Sequence, residues 1–167
     1  MQMTDVPYFI KRVAIHGPSF DYLADIAIRQ LEPFNGQAEV VCGPISTGGC
    51  GDVFRNLLAF NHAIEVLQAH GRPMWSQIPF EAGLAELEFA WKKANPTEPY
   101  CTPILTDFYF KFLTPRYIKR AWFLGGVYGW ETSTGAKMEW TRLQEQGIDR
   151  RIYEESWHRT CVLPADV

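Results

Sequence analysis

A chain of 167 residues with 47% apolar and 14% aromatic content can bury one core without metal or disulfide staples, and is short for a second domain. Its net charge of −3, with acids and bases interleaved, offers no basic block, which argues against a nucleic-acid polymer as partner but leaves single mononucleotides open. No apolar run reaches the length of a membrane span, and Met1-Gln2-Met3-Thr4-Asp5 lacks the basic start of a secretory leader, so a cytoplasmic protein with no membrane partner is expected.

Residues 1–37 read as an N-terminal extension. It holds a possible strand, Arg12 to His16, and an amphipathic helix built on Tyr22, Leu23, Ile26, Ala27 and Leu31. The core of a single domain then runs from 38 to 153. Ala38 to Cys42 is a short apolar strand feeding the glycine-rich loop Gly43 to Gly51. Asp52 can cap a helix in which Phe54, Leu57, Leu58, Ala63, Ile64 and Leu67 keep helical spacing until Gly71 and Pro73 stop it. Met74 to Ile78 is the next predicted strand. Strand, crossover helix and strand in this order imply a parallel sheet with helices on its faces, an α/β fold.

Ligands of such sheets bind beyond the carboxyl ends of the strands, where this loop falls. Loop glycines let backbone N–H groups approach an anion, and Ser46 and Thr47 add hydroxyls, so a phosphate or a sugar could be held there. A tight strand-to-helix turn without a ligand is the alternative. The loop lacks the Gly-Lys-Ser/Thr ending of a phosphate-binding P-loop and the spacing of a dinucleotide fingerprint.

Residues 79–100 read as an insertion or lid containing a helix, Glu81 to Lys93, with Leu84, Leu87 and Trp91 on one side. Ile104 to Leu113 is helical and dense in rings, with Asp107 a polar residue in apolar company, either a cap or solvated flank or a site residue. Strands follow at Ile118 to Leu124 and Ile148 to Tyr153, and 154–167 form a tail.

Between those strands, Gly129-Trp130-Glu131-Thr132-Ser133-Thr134-Gly135 is a small-residue turn into a helix from about Gly135 to Gln146. At roughly 100° per residue, Ala136, Trp140 and Leu143 share one face and Glu139 sits on its flank. A half-buried carboxylate there needs a partner and has a tunable pKa, as a nucleophile or proton-transfer group requires; the plainer reading is a helix-flank Glu favoured by the dipole.

Cys42, Cys50, Cys101 and Cys161 are far apart, with no C-x-x-C pair, and read as free thiols. His16, His62, His70 and His158 are scattered without a ligand spacing, so neither a metal nor a cofactor is expected.

Two segments carry a family pattern. Val40-Val41-Cys42-Gly43-Pro44-Ile45-Ser46 with Asn56, Phe60, Ala63, Leu67 and Gly71, followed by Gly129-Trp130-Glu131 through Gly135-Ala136 to Glu139, resembles the nucleoside 2-deoxyribosyltransferase superfamily, which includes deoxynucleoside-monophosphate N-glycosidases. The resemblance covers roughly Glu39 to Tyr153.

It implies a flavodoxin-like three-layer sandwich with a mostly parallel central sheet, a nucleoside or nucleotide ligand, and a homodimer or higher homo-oligomer. Glu139 looks like the family's nucleophile, and Asp107 resembles the aspartate that meets the base. Gly43, Ile45, Ser46, Gly48 and Gly49 look like the pocket-lining loop, and Ser133 like a turn residue that contacts sugar or phosphate. The implied activity is cleavage or transfer at an N-glycosidic bond, or nucleotide sensing without catalysis. Where that family often places a tyrosine in the first strand to hold the nucleophile, this chain has Val40, Val41 and Cys42, so orientation must come from elsewhere, with Tyr109 and Tyr128 as candidates. The loop arginine of the monophosphate enzymes is also missing, and Arg55 is the nearest candidate.

Overall fold

The computed structural model describes residues 14–154. Helix α1 (Phe20–Leu31) begins at Ser19, whose Oγ accepts from the Tyr22 amide at 3.1 Å, and buries Phe20, Leu23, Ala24, Ala27 and Leu31 on one stripe. Strand β1 (Ala38–Cys42) follows, buried along its whole length. Helix α2 (Val53–Ala69) starts at Asp52, whose Oδ1 accepts from the Arg55 amide at 3.2 Å as the acidic cap residue predicts. Then come α3 (Glu81–Ala94), a π-helical stretch (Ile104–Tyr109) running into the short α4 (Phe110–Phe112), strand β2 (Ile118–Leu124), helix α5 (Thr134–Glu145) and strand β3 (Asp149–Tyr153).

The three strands form one parallel sheet in the order β1-β2-β3, with Val40 opposite Ala121 and Phe123 opposite Ile152. The fold is therefore mixed α/β with an open parallel sheet. The expected strand Met74 to Ile78 is reduced to a single parallel bridge, Met74 to Glu39. Trp75 still donates its amide to Glu39 at 2.9 Å, but Val41 O is met by the Gln77 side chain, and the chain turns into a 3₁₀ helix over Ile78–Phe80 with Pro79 inside it. Proline has no amide hydrogen for a ladder, so pairing ends there. The predicted strand Arg12 to His16 lies partly outside the described residues. Its described part, 14–16, is irregular and donates the Ile15 amide to Pro79 O at 2.8 Å.

Side chains alternate across a strand, and the core divides accordingly. Ala38, Val40 and Cys42 of β1 and Ala121 and Phe123 of β2 join α1, the π-helical segment and Leu143 of α5. Val41 and Leu124 join Leu57, Phe60, Ala63, Ile64 and Leu67 of α2. Each fully buried Leu or Phe contributes about 1.5–3 kcal/mol of transfer free energy, and these two clusters hold most of them. Trp75, Phe80, Phe108, Tyr109 and Phe112 form a ring cluster with centroids 4.8–5.9 Å apart, so much of the aromatic excess is core.

One buried acid in β1 has a structural explanation. Glu39 is bound by the Arg72 guanidinium through Nε and Nη2 and accepts from Trp122 Nε1 at 2.7 Å, with Arg120 Nη1 3.8 Å away. Arg72 and Arg120 both lie over the Trp122 ring, so the carboxylate is paired on all sides.

Cys42 and Cys101 are free and buried, as the spacing suggests, but Cys50 is disulfide-bonded. Absence of a C-x-x-C pair excludes only a local bridge. A disulfide requires proximity in space, which sequence separation does not reveal. Among the described residues no helix is long and apolar enough to cross a membrane.

Candidate functional site

The carboxyl end of β1 places Cys42 beneath, and Gly43 at the mouth of, a hollow partly open to solvent, in which about 40 Å³ admits the centre of a water-sized sphere. One wall is the loop Gly43, Ile45, Ser46 and Thr47, and a second is the start of α5 with Ser133, Gly135, Ala136 and Glu139. The third wall comes from α3, where Glu81, Leu84, Ala85 and Glu88 follow the i, i+3, i+4, i+7 rule along one face. Tyr100, Ile104 and Tyr109 close the remaining side.

The loop is fixed from within. Buried Asn56 accepts the Cys50 amide at 2.9 Å and donates to Ile45 O at 2.9 Å and Gly48 O at 3.2 Å, so one side chain replaces the ladder that a loop lacks. From the other side Thr132 Oγ1 accepts the Gly49 amide at 2.6 Å. Gly48 has φ +69°, and a Cβ on it would collide with the Thr132 backbone, so only glycine permits this approach. Ser133 caps α5, its Oγ accepting from the Ala136 amide at 3.2 Å, and its hydroxyl is within hydrogen-bond reach of Thr47 Oγ1 at 3.4 Å, joining the loop to the start of α5.

Glu139 is 9% exposed, and burial lifts its pKa to about 7, with a hydrogen bond from the Cys42 thiol pulling the other way. Glu81 is lifted further, to about 8, by burial and by the negative Glu139 and Glu88, against the Tyr109 hydroxyl that donates to its Oε1 at 2.9 Å. Glu88 is paired with Lys92 at 3.0 Å. Burial and the neighbouring carboxylates raise the Tyr100 and Tyr109 hydroxyls and the Cys42 thiol, so all three stay protonated donors at neutral pH.

The chain matches no protein-family model, no curated protein and no solved structure. Of the residues the sequence singles out, Gly43, Ile45, Ser46, Ser133 and Glu139 meet in the hollow. Gly48 and Gly49 stand behind it as the seam between the loop and Thr132. Asp107 does not line it and takes a hydrogen bond from Thr106 Oγ1 at 3.1 Å instead.

Glu81, Glu88 and Tyr100 are the residues that sequence reasoning missed. A signal existed for two of them: a stripe through Leu84 and Ala85 at helical spacing carries a glutamate at each end, which puts both acids on a buried face. Tyr109 serves Glu81 rather than Glu139, and the thiol of Cys42 holds the position next to Glu139. Among the described residues no group of three or more His, Cys, Asp or Glu could hold a metal ion.

Chemically, the hollow pairs two buried carboxyl groups of unequal acidity. Near neutral pH one is poised to ionise while the other keeps its proton, the division of labour that cleavage with an acid and a nucleophile requires.

Proposed function

We propose that this protein cleaves, or transfers at, the N-glycosidic bond of a nucleoside or deoxynucleoside bound in the hollow, with Glu139 as nucleophile and Glu81 as general acid. The observation that carries the reading is the meeting of Glu139 with the glycine loop and with a second, more basic carboxyl group in one partly closed space. Its sequence resemblance to the nucleoside 2-deoxyribosyltransferases supports the same chemistry. The bridge of Met74 to β1 and the order β1-β2-β3 are compatible with the flavodoxin-like sandwich of that superfamily.

In the first step the bond from C1′ to the base nitrogen breaks, its electron pair leaving with the base. The Glu81 proton passes to the base, and a Glu139 oxygen bonds to C1′ as positive charge builds there. Water or a second base then attacks C1′, the bond to Glu139 breaks, and the Glu81 carboxylate takes the proton of the attacking group. Water makes the protein a hydrolase, and a base makes it a transferase.

Among the described residues the lining carries three acidic side chains and no Lys, Arg or His, which favours a nucleoside over its phosphorylated form. Ser46, Thr47, Ser133 and Tyr100 line the hollow, the hydroxyls of the first three as donors for a sugar and the Tyr100 ring as a surface for a base. A homodimer or higher homo-oligomer belongs to the same proposal.

The test is incubation with each deoxynucleoside, ribonucleoside and monophosphate, with free base measured by chromatography. Release by the wild type and its loss in Glu139→Gln supports the assignment. Undiminished release by the variant removes it, and tight calorimetric binding without release marks a non-catalytic nucleotide-binding module.

A further inference from the structure

A smaller chamber shares Glu139 and Tyr109 with the hollow and is lined by Val40, Cys42, Trp75 and Gln77 among others. Gln77 is 4% exposed, and its Nε2 donates to Val41 O at 2.9 Å. A carbonyl only accepts, so the amide nitrogen must face Val41 and Oε1 is turned away from it. That oxygen has no hydrogen-bond partner among the described residues although it is buried. An unpaired buried acceptor of this kind costs free energy unless something donates to it.

The donor groups around the chamber are already engaged. The Cys42 thiol serves Glu139, the Tyr109 hydroxyl serves Glu81, and Trp75 Nε1 donates to Gln30 Oε1 at 3.0 Å. What remains is a pair of acceptors, Gln77 Oε1 and the Glu139 carboxylate, lining a space in which about 10 Å³ admits the centre of a water-sized sphere, at the lower end of the roughly 10–15 Å³ that a single water needs. A molecule with two donor hydrogens fits this arrangement.

We propose that the chamber holds one water molecule that donates to both Gln77 Oε1 and Glu139, making Gln77 a positioning residue for the carboxylate. The Gln77 amide, anchored on the β1 backbone, fixes the water, and the water fixes the face of Glu139 opposite the hollow. Hydrogen bonds to the ionised carboxylate favour its charged form, so the water keeps Glu139 ionised against its burial. The other titratable groups facing Glu139 are Cys42 from β1, Glu81 and Glu88 from α3, Tyr100, and Tyr109 from the π-helical segment. Of these, the thiol is the one that donates to it, and a thiol is a weak donor.

The positioning role rests on Glu139 being the nucleophile, whereas the water does not, and the experiment separates the two. A high-resolution crystal structure of the wild type is expected to show a water within hydrogen-bond distance of Gln77 Oε1 and Glu139; a chamber filled by a side chain overturns the proposal. Carboxyl carbon-13 titration of wild type and Gln77→Met is expected to show the Glu139 midpoint rising by about one unit in the variant. An unchanged midpoint in folded Gln77→Met overturns it equally. Neither readout involves base release, so failure of the glycosidic reading leaves both results interpretable.

Discussion

Tyr109 donates its hydroxyl to Glu81 across 2.9 Å of buried space, joining the π-helical segment to the first turn of α3 at the point where the two close over the hollow. This contact leaves one carboxyl oxygen of Glu81 for a proton, beside a Glu139 whose charge discourages Glu81 from losing it.

The rate of base release should follow a bell in pH. Glu139 must be ionised, so activity rises through about 7, and Glu81 must keep its proton, so activity falls through about 8. The two groups interact, and the midpoints belong to the pair rather than to either residue. Steady-state kcat/KM from pH 5 to 10 measures them, and Glu81→Gln should abolish the alkaline limb while lowering the maximum by about 10²–10⁴-fold.

Stability should have the opposite sense from that of most carboxylates. Both folded pKa values lie above the unfolded value of about 4.5, so the folded state binds more protons in between. The contribution is fully present below about 4.5 and is lost as pH rises through about 7 and then 8. Unfolding free energies from urea titrations should therefore fall between pH 5 and pH 9 by an amount on the order of a few kcal/mol, and Glu81→Gln should flatten the fall.

Two glycines with the same backbone sign should respond differently to alanine. Gly51, at φ +71°, has no described atom within 4 Å of where a Cβ would stand, so Gly51→Ala should cost only the left-handed penalty of about 1–2 kcal/mol. Gly48→Ala adds a collision with the Thr132 backbone and should also displace the loop from α5. Thermal melts compare the stabilities, and nucleoside binding by calorimetry should be weakened in Gly48→Ala alone.

Asn56 should be intolerant even of its closest acidic analogue. Asn56→Asp keeps the acceptor for the Cys50 amide but turns an oxygen toward the carbonyls of Ile45 and Gly48. Both Asn56→Asp and Asn56→Ala should lose about 2–3 kcal/mol in denaturant unfolding at pH 7.

How much of this was legible depends on the range of the interaction. The cap at Asp52 and the flank position of Glu139 are local consequences of spacing, and helix α5 begins one residue from its predicted start. The π-helical stretch at Ile104–Tyr109 was legible only as helix, because apolar spacing does not distinguish its widened turn from an ordinary one. Asp107 shows the limit most clearly: its apolar neighbours Phe108 and Tyr109 turn inward, while the aspartate shares its hydrogen bond with Thr106 away from the hollow. The acid beside Glu139 instead comes from α3, more than fifty residues earlier, and no short motif links the two.

The glycosidic chemistry requires Glu139 to face the anomeric carbon of a bound sugar. A crystal structure of Glu139→Gln soaked with an unphosphorylated deoxynucleoside measures this directly. The expected result is C1′ within about 3–3.5 Å of the side-chain oxygen at position 139, with the base nitrogen on the Glu81 side. A nucleoside seated with its sugar away from residue 139, or bound only outside the hollow, would contradict it.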